Sequence, residues 1–322
     1  MRRGSSGINL LLGINKPVGM TSHDVVDVVR RALGERRVGH AGTLDPAAEG
    51  VMVVGVGQGT RLMGLLTADS KSYLATIRFG YETNTDDAEG DLTKSAPLSP
   101  QLRDADYARS MLRALLGEHE QVPPAYSAIS VGGKRAYARA RAGEEVVLEP
   151  RRVLITEAQL IAIDEEPEVR GAPESPDGSM PATLDWQCAF TVSKGTYVRA
   201  IARDLGREAG SAAHLARLCR TVSGTVTLAQ CVSLEQVKEL GAKGIGDVAL
   251  DPARSLGLPM YHIKDSELTA VACGRSLEVD GMRRGQRVAL VHESQLLGVW
   301  ESVGSRLVPK VNFPHGIEGV RA

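Results

Sequence analysis

Residues 38–50 read VGHAGTLDPAAEG, a short segment in which glycine or proline recurs at positions 39, 42, 46 and 50. This punctuation predicts a tight loop, and loops on a rigid scaffold commonly carry catalytic groups. The two side chains in it best suited to chemistry are His40 and Asp45. The Asp45-Pro46 dipeptide favours extended backbone at Asp45, which can aim its carboxylate outward. From this loop alone, a simple Asx-turn without a catalytic role is an equally good interpretation.

Regular elements are predicted on both sides of this loop. Residues 8–14 and the apolar run Val51–Val56 predict strands, the second of them buried. Thr21 and Ser22 are candidate N-caps for a helix over residues 23–33. Further along, helices are predicted over residues 60–66, 104–116 and 195–209, and strands over residues 71–80, 150–163 and 183–193.

The overall composition is that of an ordinary globular protein. The chain has 322 residues, of which 43% are hydrophobic and 24% are charged, and this length suggests about two domains. The net charge of −1 gives no hint of a nucleic-acid partner, so that inference needs local clusters. The four cysteines lack C-x-x-C spacing, which argues against a disulfide framework and a zinc site and fits a reducing cytoplasm. No apolar run approaches about 18 residues, so no membrane span is expected.

The composition of the sequence changes in two segments of its second half. Residues 165–181 are rich in proline, glycine, serine and acids, which predicts a flexible acidic insertion. Short strand-like runs at 287–291, 297–300 and 306–310 predict a small β-barrel-like domain over residues 256–322. A larger domain is therefore expected over residues 1–250.

Charged residues cluster locally although the total charge is near zero. Residues 127–152 hold six basic and three acidic side chains, all of which come after Gly132 and Gly133 in the chain. Arg199, Arg203 and Arg207 share one face of the predicted helix at 195–209. On pattern alone, solvated surface is the favoured interpretation of both clusters. The acidic residues at 82–91 are also interpreted as a solvated loop.

Few side chains remain as candidates for chemistry. No G-x-S-x-G elbow or His/Cys metal spacing occurs, and glycines 55, 57 and 59 do not match the dinucleotide-binding pattern. The candidates left are Asp45, His40, Tyr73, Tyr197 and Arg199. A lone carboxylate within about 4–6 Å of an arginine stays ionised, which suits a nucleophile or a stabiliser of positive charge. Chemistry at a sugar C1′ fits this, and isomerisation of a nucleoside needs no external acid or water.

Several motifs then occur in one order along the chain. They are NKPVGMTS at 15–22, GHAGTLDPAAEG at 39–50, KSY at 71–73, VPPAYSAISVGGKRAY at 122–137, SKGTYVRAIARDLG at 193–206 and HLARLCRTVSG at 214–224. This set covers roughly residues 8–235 and closely resembles the bacterial tRNA pseudouridine synthase B (TruB) family. Members of that family convert uridine-55 in the T arm of tRNA to pseudouridine.

The resemblance implies a fold and a mode of action. The expected fold is of the α+β class, with a mixed, largely antiparallel central sheet flanked by helices. Residues 1–250 would form the catalytic domain and residues 256–322 a PUA-like domain. The resemblance further implies the T stem-loop of tRNA as substrate, no metal or organic cofactor, a monomer without an obligatory protein partner, and a cytoplasmic location.

The resemblance also implies roles for individual residues. Around the target base, Asp45 would be the nucleophile, Tyr73 would stack on the flipped base, Arg199 would pair with Asp45, Tyr197 and Leu218 would line the pocket, and His40 would insert beside the extruded nucleotide. RNA-binding positions would be Lys16, Lys134, Arg135, Arg139, Arg141 and Arg203. Residues 127–152 would form a mobile thumb that closes on the RNA.

Two positions depart from the family pattern. Ser130 stands where many members carry lysine, which puts one expected backbone contact of the thumb in doubt. Glu49 stands where threonine or serine is common, four residues after Asp45. We expect Glu49 to point outward, because an inward carboxylate would repel the phosphate.

Two other functions compete with tRNA pseudouridylation. A non-catalytic RNA-binding or tRNA-folding protein could use the same basic surfaces, but Asp45, Tyr73 and Arg199 together favour an enzyme. A related synthase could act on another RNA, but the short C-terminal domain and the lack of long basic tails favour tRNA. RNA binding is expected to be salt-sensitive despite the neutral net charge.

Overall fold

The computed structural model describes residues 6–67, 70–165 and 181–321. The chain divides into two compact units, one within residues 1–69 and 221–322 and the other within residues 70–220. The predicted boundary at 250–256 falls inside the first unit and stays a prediction. The predicted acidic insertion lies, apart from its two ends, outside the described residues.

Strands make up most of the regular structure. In chain order they are β1 (Leu10–Lys16), β2 (Val38–Ala41), β3 (Ala48–Val56), β4 (Lys71–Phe79), β5 (Tyr81–Thr83), β6 (Leu92–Ser95), β7 (Gly117–Gln121), β8 (Ser130–Val131), β9 (Lys134–Arg135), β10 (Arg151–Asp164), β11 (Leu184–Val192), β12 (Ala213–Ser223), β13 (Val226–Thr227), β14 (Met260–His262), β15 (Leu277–Glu278), β16 (Arg287–His292), β17 (Gln295–Val303) and β18 (Arg306–Glu318). The strands predicted at the sequence level are confirmed, with ends that differ by a few residues.

The helices are fewer and mostly short. In chain order they are α1 (Ser22–Leu33), α2 (Met63–Leu66), α3 (Ala105–Ala114), α4 (Ala136–Arg141), α5 (Val198–Glu208), α6 (Leu234–Gly244), α7 (Pro252–Ser255) and α8 (Leu268–Ala272). The helix predicted over 60–66 is only partly α-helical, because Gly57–Leu62 forms a 3-10 helix and α2 adds one turn. Among the described helices, none combines the length and apolar character of a membrane-spanning segment.

In the first unit, helix α1 and two antiparallel strand pairs place the Asp45 loop. The helix begins at a capping box in which Asp24 N donates to Thr21 Oγ1 (3.1 Å) and Thr21 N donates to Asp24 Oδ2 (2.8 Å). Strand β3 pairs with β1, from Leu10 opposite Val56 to Lys16 opposite Gly50, and also with β2. The loop between β2 and β3 therefore lies at the end of two strand pairs, β1 with β3 and β2 with β3.

The first unit also contains the C-terminal sheet. Its strand order is β14-β16-β17-β18-β15, with β14 parallel to β16 and the remaining pairs antiparallel. Trp300, Leu290 and Leu307 are fully buried in its core. Burial of such side chains contributes about 1.5–3 kcal/mol each, so the small sheet has a core of its own.

In the second unit, a sheet with the order β12-β4-β11-β10-β7 carries helix α5 after strand β11. Strands β4 and β11 pair antiparallel from Lys71 opposite Val192 to Phe79 opposite Leu184. Phe79 and Trp186 pack with ring centroids 4.7 Å apart on the buried face. The alternation predicted from residues 71–80 is confirmed, because alternate side chains of β4 are buried.

His214 is a fully buried histidine in the second unit. Its Nδ1 lies 3.1 Å from the carbonyl oxygen of Tyr81, so Nδ1 carries the hydrogen, and the two rings are 4.3 Å apart. Burial lowers the pKa of His214 from 6.5 to about 4. Between these values the unfolded chain binds a proton that the folded chain does not, so stability falls as the pH falls.

We therefore expect the free energy of unfolding to drop by about 3 kcal/mol between pH 6.5 and pH 4 on account of His214. His214→Asn keeps a donor near the Tyr81 carbonyl and removes the titration, so its unfolding free energy should vary less over this range. His315→Asn, at an exposed histidine, is the control and should leave the slope unchanged. Equal slopes for wild type and His214→Asn in urea titrations would contradict this assignment.

Candidate active site

Asp45 is half-buried in the loop between β2 and β3, and the peptide before it is tightly held. The hydroxyl of Ser22, which is 4% exposed, donates to Leu44 O (3.0 Å) and accepts from Leu44 N (2.9 Å). Ala48 N donates to Asp45 O (3.1 Å), which closes a turn. All of these bonds use backbone atoms of the loop, so they fix Asp45 without using its carboxylate.

Lys16 supports the other side of the same loop. Its side chain is fully buried, and Nζ donates to Pro17 O (2.8 Å), Met20 O (2.7 Å) and Pro46 O (3.3 Å). Gly19 N also donates to Pro46 O (2.8 Å). This geometry supports a positioning role for Lys16, whereas its predicted contact with RNA stays a prediction.

The other two residues that the sequence analysis singled out here lie on the flanking strands. His40 is half-buried on β2, opposite Val54 of β3. Glu49 lies on β3 and is exposed, as expected from the sequence. The residues on either side of Glu49 in β3, Ala48 and Gly50, are buried, so Glu49 is the exposed position of this strand.

The second unit carries the aromatic and basic candidates. Tyr73 lies on β4 opposite Phe190 and is 8% exposed. Leu218 is half-buried on β12, the neighbour of β4 in the sheet. Tyr197 is half-buried and is the N-cap residue of α5. The main chain of Tyr197 is bonded by the side chain of Gln121, which lies at the end of β7.

Arg199, in the first turn of α5, is 5% exposed and has three described partners. Nη1 donates to Thr85 O (2.9 Å) and lies 3.4 Å from Asp87 Oδ2. Nη2 donates to Tyr126 O (3.0 Å). A planar guanidinium can hold several oxygens at once, so Arg199 is fixed within its own unit. Its predicted pairing with Asp45 stays a prediction.

The next two arginines of α5 pair with the same acidic segment. Arg203 Nη1 donates to Asp86 Oδ2 (2.8 Å), and Arg207 makes two bonds of 3.0 and 2.7 Å to Glu82. Burial raises the pKa of the Asp86 carboxyl, and the guanidinium of Arg203 opposes that shift. The hydrogen bond to Glu82 raises the pKa of Arg207.

The interpretation of residues 82–91 as a solvated loop is therefore wrong for three of its acidic residues. Glu82, Asp86 and Asp87 are 5%, 9% and 6% exposed. A buried carboxylate needs a partner, and the arginines supply one each. The matching of three acids within six residues to three arginines at four-residue spacing was the signal available in the sequence.

The thumb, residues 127–152, begins with a hairpin of β8 and β9. Its turn is Gly132-Gly133, with φ of 58° and 82°, a conformation that two-residue hairpin loops require. Lys134, Arg135 and Arg141 are exposed. Arg135 Nη1 donates to Ala128 O (2.6 Å), and Arg139 pairs with Glu144 (2.6 Å). The exposed cations of this segment are placed where an anionic ligand can reach them.

Ser130 is exposed on β8 and lies opposite Arg135 in the hairpin. A serine at this position is too short to replace the reach of a lysine, so Ser130 does not supply the backbone contact that a lysine would make. Within the described part of the chain, no group of three or more His, Cys, Asp or Glu side chains could hold a metal ion. The predicted absence of a cofactor stays a prediction.

Comparisons of the sequence with known proteins agree on one family. A family model described as TruB family pseudouridylate synthase (N terminal domain) matches residues 30–198. A protein named tRNA pseudouridine synthase B from Cutibacterium acnes is 43% identical over 268 residues, which are 83% of this chain and 84% of the relative. A protein of the same name from Mycobacterium tuberculosis is 41% identical over 294 residues, 91% of this chain and 92% of the relative.

A comparison of structures supports the fold. A chain in the crystal structure of the archaeal box H/ACA sRNP Nop10-Cbf5 complex is similar to this chain with a TM-score of 0.65, at 22% identity. The similarity covers 95% of this chain and 86% of the other. The predicted fold class is confirmed: a mixed, largely antiparallel sheet with flanking helices, and a C-terminal sheet consistent with a PUA-like domain.

Proposed function

The chain belongs to the TruB family of pseudouridylate synthases, and we propose that it converts uridine-55 in the T arm of tRNA to pseudouridine. The observation that carries the proposal is the similarity, at 41–43% identity over more than four fifths of the chain, to proteins named tRNA pseudouridine synthase B. A monomeric state, a cytoplasmic location and independence of a cofactor accompany this proposal as predictions.

Asp45 is the catalytic carboxylate of this proposal. Its loop is fixed through backbone bonds to Ser22 and Lys16, so the carboxylate is oriented before the substrate arrives. A carboxylate so placed can attack the target nucleotide or stabilise positive charge that develops at C1′. The bond between C1′ and N1 of the base then breaks and a bond between C1′ and C5 forms, and any bond to Asp45 breaks again. C5 loses a proton and N1 gains one, so there is no net addition.

The target base has to leave the RNA stack before this chemistry is possible. Tyr73 is the proposed platform, and stacking on an aromatic ring contributes about 1–3 kcal/mol per base. Because Tyr73 is only 8% exposed, little of its ring is open to contact, and a base must come out of the RNA stack to reach it. That requirement favours a flipped nucleotide over a stacked one.

RNA binding is assigned mainly to the thumb. Arg203 and Arg207 have carboxylate partners within the unit, so their charges are largely compensated. Lys134, Arg135 and Arg141 are exposed, and the thumb therefore offers more uncompensated positive charge than α5 does. Contacts of this kind to phosphates give affinity without base specificity.

Replacing Lys134 and Arg135 together with alanine is expected to weaken binding of T stem-loop RNA and to flatten its salt dependence. Loss of two phosphate contacts would reduce the slope of log K against log salt by about 1.4–1.8. The double variant Arg109→Ala with Arg113→Ala removes the same charge from α3, outside the motifs, and serves as the control. A thumb variant with the wild-type slope would remove the thumb from the contact surface.

The function itself is tested by single-turnover conversion of uridine in a T stem-loop RNA, without added metal. Conversion at position 55, and none in an RNA with cytidine there, is the expected result. Conversion at a different uridine, or only in another RNA, would reject the site specificity. Tight binding without conversion would favour the non-catalytic RNA-binding alternative.

A further inference from the structure

The segment that leads into the thumb, residues 121–126, is bonded to the helix that carries Arg199. We call this segment the thumb root. Gln121 Nε2 donates to Tyr197 O (3.1 Å), and Tyr197 N donates to Gln121 Oε1 (2.9 Å). Gln121 is 6% exposed, so both bonds are shielded from water. This pair of bonds imitates the exchange between two strand residues and clamps the peptide at the start of α5.

Two arginines of α5 hold the rest of the thumb root. Arg203 Nη2 donates to Val122 O (2.9 Å) and Arg199 Nη2 donates to Tyr126 O (3.0 Å). The thumb root is therefore bonded to α5 and its N-cap residue at both of the root's own ends. Arg203 is in this way a structural link between α5 and the thumb root, in addition to its ion pair with Asp86.

The thumb is in turn connected to the thumb root. Ala136 N donates to Ile129 O (2.7 Å) and Tyr137 N donates to Ser127 O (3.0 Å), so the first turn of α4 is tied to the residues that follow the root. On the return side, Arg151 of β10 lies opposite Gln121 of β7. The return end of the thumb thus lies beside Gln121, and its first end continues from the thumb root that begins at Gln121.

We propose that Gln121 is a positioning residue that couples the seating of RNA on the thumb to the placement of Tyr197 and Arg199. A displacement of the thumb moves its root, and the reciprocal bonds of Gln121 transmit that movement to the first turn of α5. Gln121 itself touches no substrate in this arrangement. The inference rests on the proposed function in that it takes Tyr197 and Arg199 as members of the reaction site.

Gln121→Ala is expected to lower the single-turnover rate by about tenfold or more, because small misplacements of catalytic groups are costly, and to leave RNA affinity within about twofold of wild type. Gln121→Glu keeps the volume and one acceptor but turns an oxygen towards Tyr197 O, so it should lose rate to a similar degree. Gln159→Ala, at an exposed glutamine of β10, is the matched control and should keep the wild-type rate. Wild-type rates in both Gln121 variants would overturn the proposal.

Coupling is distinguished from a merely structural role by combining variants. If the thumb acts on α5 through Gln121, the rate loss of Gln121→Ala and that of Lys134→Ala with Arg135→Ala should overlap, and the triple variant should lose less than their product. Losses that multiply would overturn the proposal.

A second readout does not depend on conversion. Amide hydrogen exchange with T stem-loop RNA bound should slow in the thumb and over residues 197–203 of the wild-type chain. In Gln121→Ala and Gln121→Glu, the thumb should remain protected while residues 197–203 lose that protection. Persistence of the protection at 197–203 would reject the coupling, whereas failure of the wild-type chain to convert uridine would reject the proposed function instead.

Discussion

Asp45→Asn is expected to lower the rate of pseudouridine formation by at least about four orders of magnitude, or roughly 5.5 kcal/mol in barrier. Asparagine has nearly the same shape as aspartate, and Leu44 and the carbonyl of Asp45 make bonds that hold the loop in either protein. The variant should therefore fold and bind RNA with an affinity close to that of wild type. What is lost is the negative charge.

The measurement is single-turnover conversion of a T stem-loop RNA, with RNA affinity and the thermal midpoint determined on the same samples. Glu49→Gln is the matched control, because it removes an exposed carboxylate four residues further along. Glu49→Gln should retain the wild-type rate. An Asp45→Asn protein that keeps a tenth of the wild-type rate would rule out a nucleophilic role for Asp45.

The local features of the fold were predictable from the sequence. Thr21 and Ser22 were candidate N-caps ahead of an apolar run, and Thr21 is the N-cap residue of α1 in the structure. Alternation over residues 71–80 gave strand β4, and the punctuated segment at 38–50 gave the loop of Asp45. These features depend on residues close together in the chain, which is where sequence patterns carry most of their information.

The features that were not predictable depend on distant residues. Arg203 and Asp86 are 117 positions apart, and the matched spacing of acids and arginines does not by itself indicate that both residues are buried. Lys16 was expected at the RNA from the family resemblance, and nothing in its own segment indicates that three carbonyls surround its ammonium group. Gln121 belongs to none of the sequence motifs, because its role depends on its bonds to the main chain of the distant residue Tyr197.

Burial also changes what the charge pattern means for function. Arg203, on the basic face of α5, was expected to bind RNA, but the acidic segment compensates much of the charge of that face. Positive charge in a sequence therefore predicts RNA binding only after internal partners have been counted. For this chain the count leaves the thumb, rather than Arg203 of α5, as the main expected site of phosphate contacts.

Arg199→Ala is expected to destabilise the protein by about 3–5 kcal/mol, because it leaves the buried carboxylate of Asp87 without the guanidinium beside it. The carbonyls of Thr85 and Tyr126 lose a donor in the same step. Urea unfolding at pH 7 measures the effect. Arg113→Ala, at an exposed helical arginine, is the control and should stay within about 0.5 kcal/mol of wild type.

A second substitution separates the structural role of Arg199 from its catalytic role. Asp87→Asn in the Arg199→Ala background removes the unpaired charge and should recover part of the lost stability. It should not recover the rate of pseudouridine formation, because the guanidinium is still missing from the proposed reaction site. If the double variant regained stability and rate together, Arg199 would act only as a support for the acidic segment. If Arg199→Ala were no more destabilising than Arg113→Ala, the ion pair with Asp87 would contribute nothing to the fold.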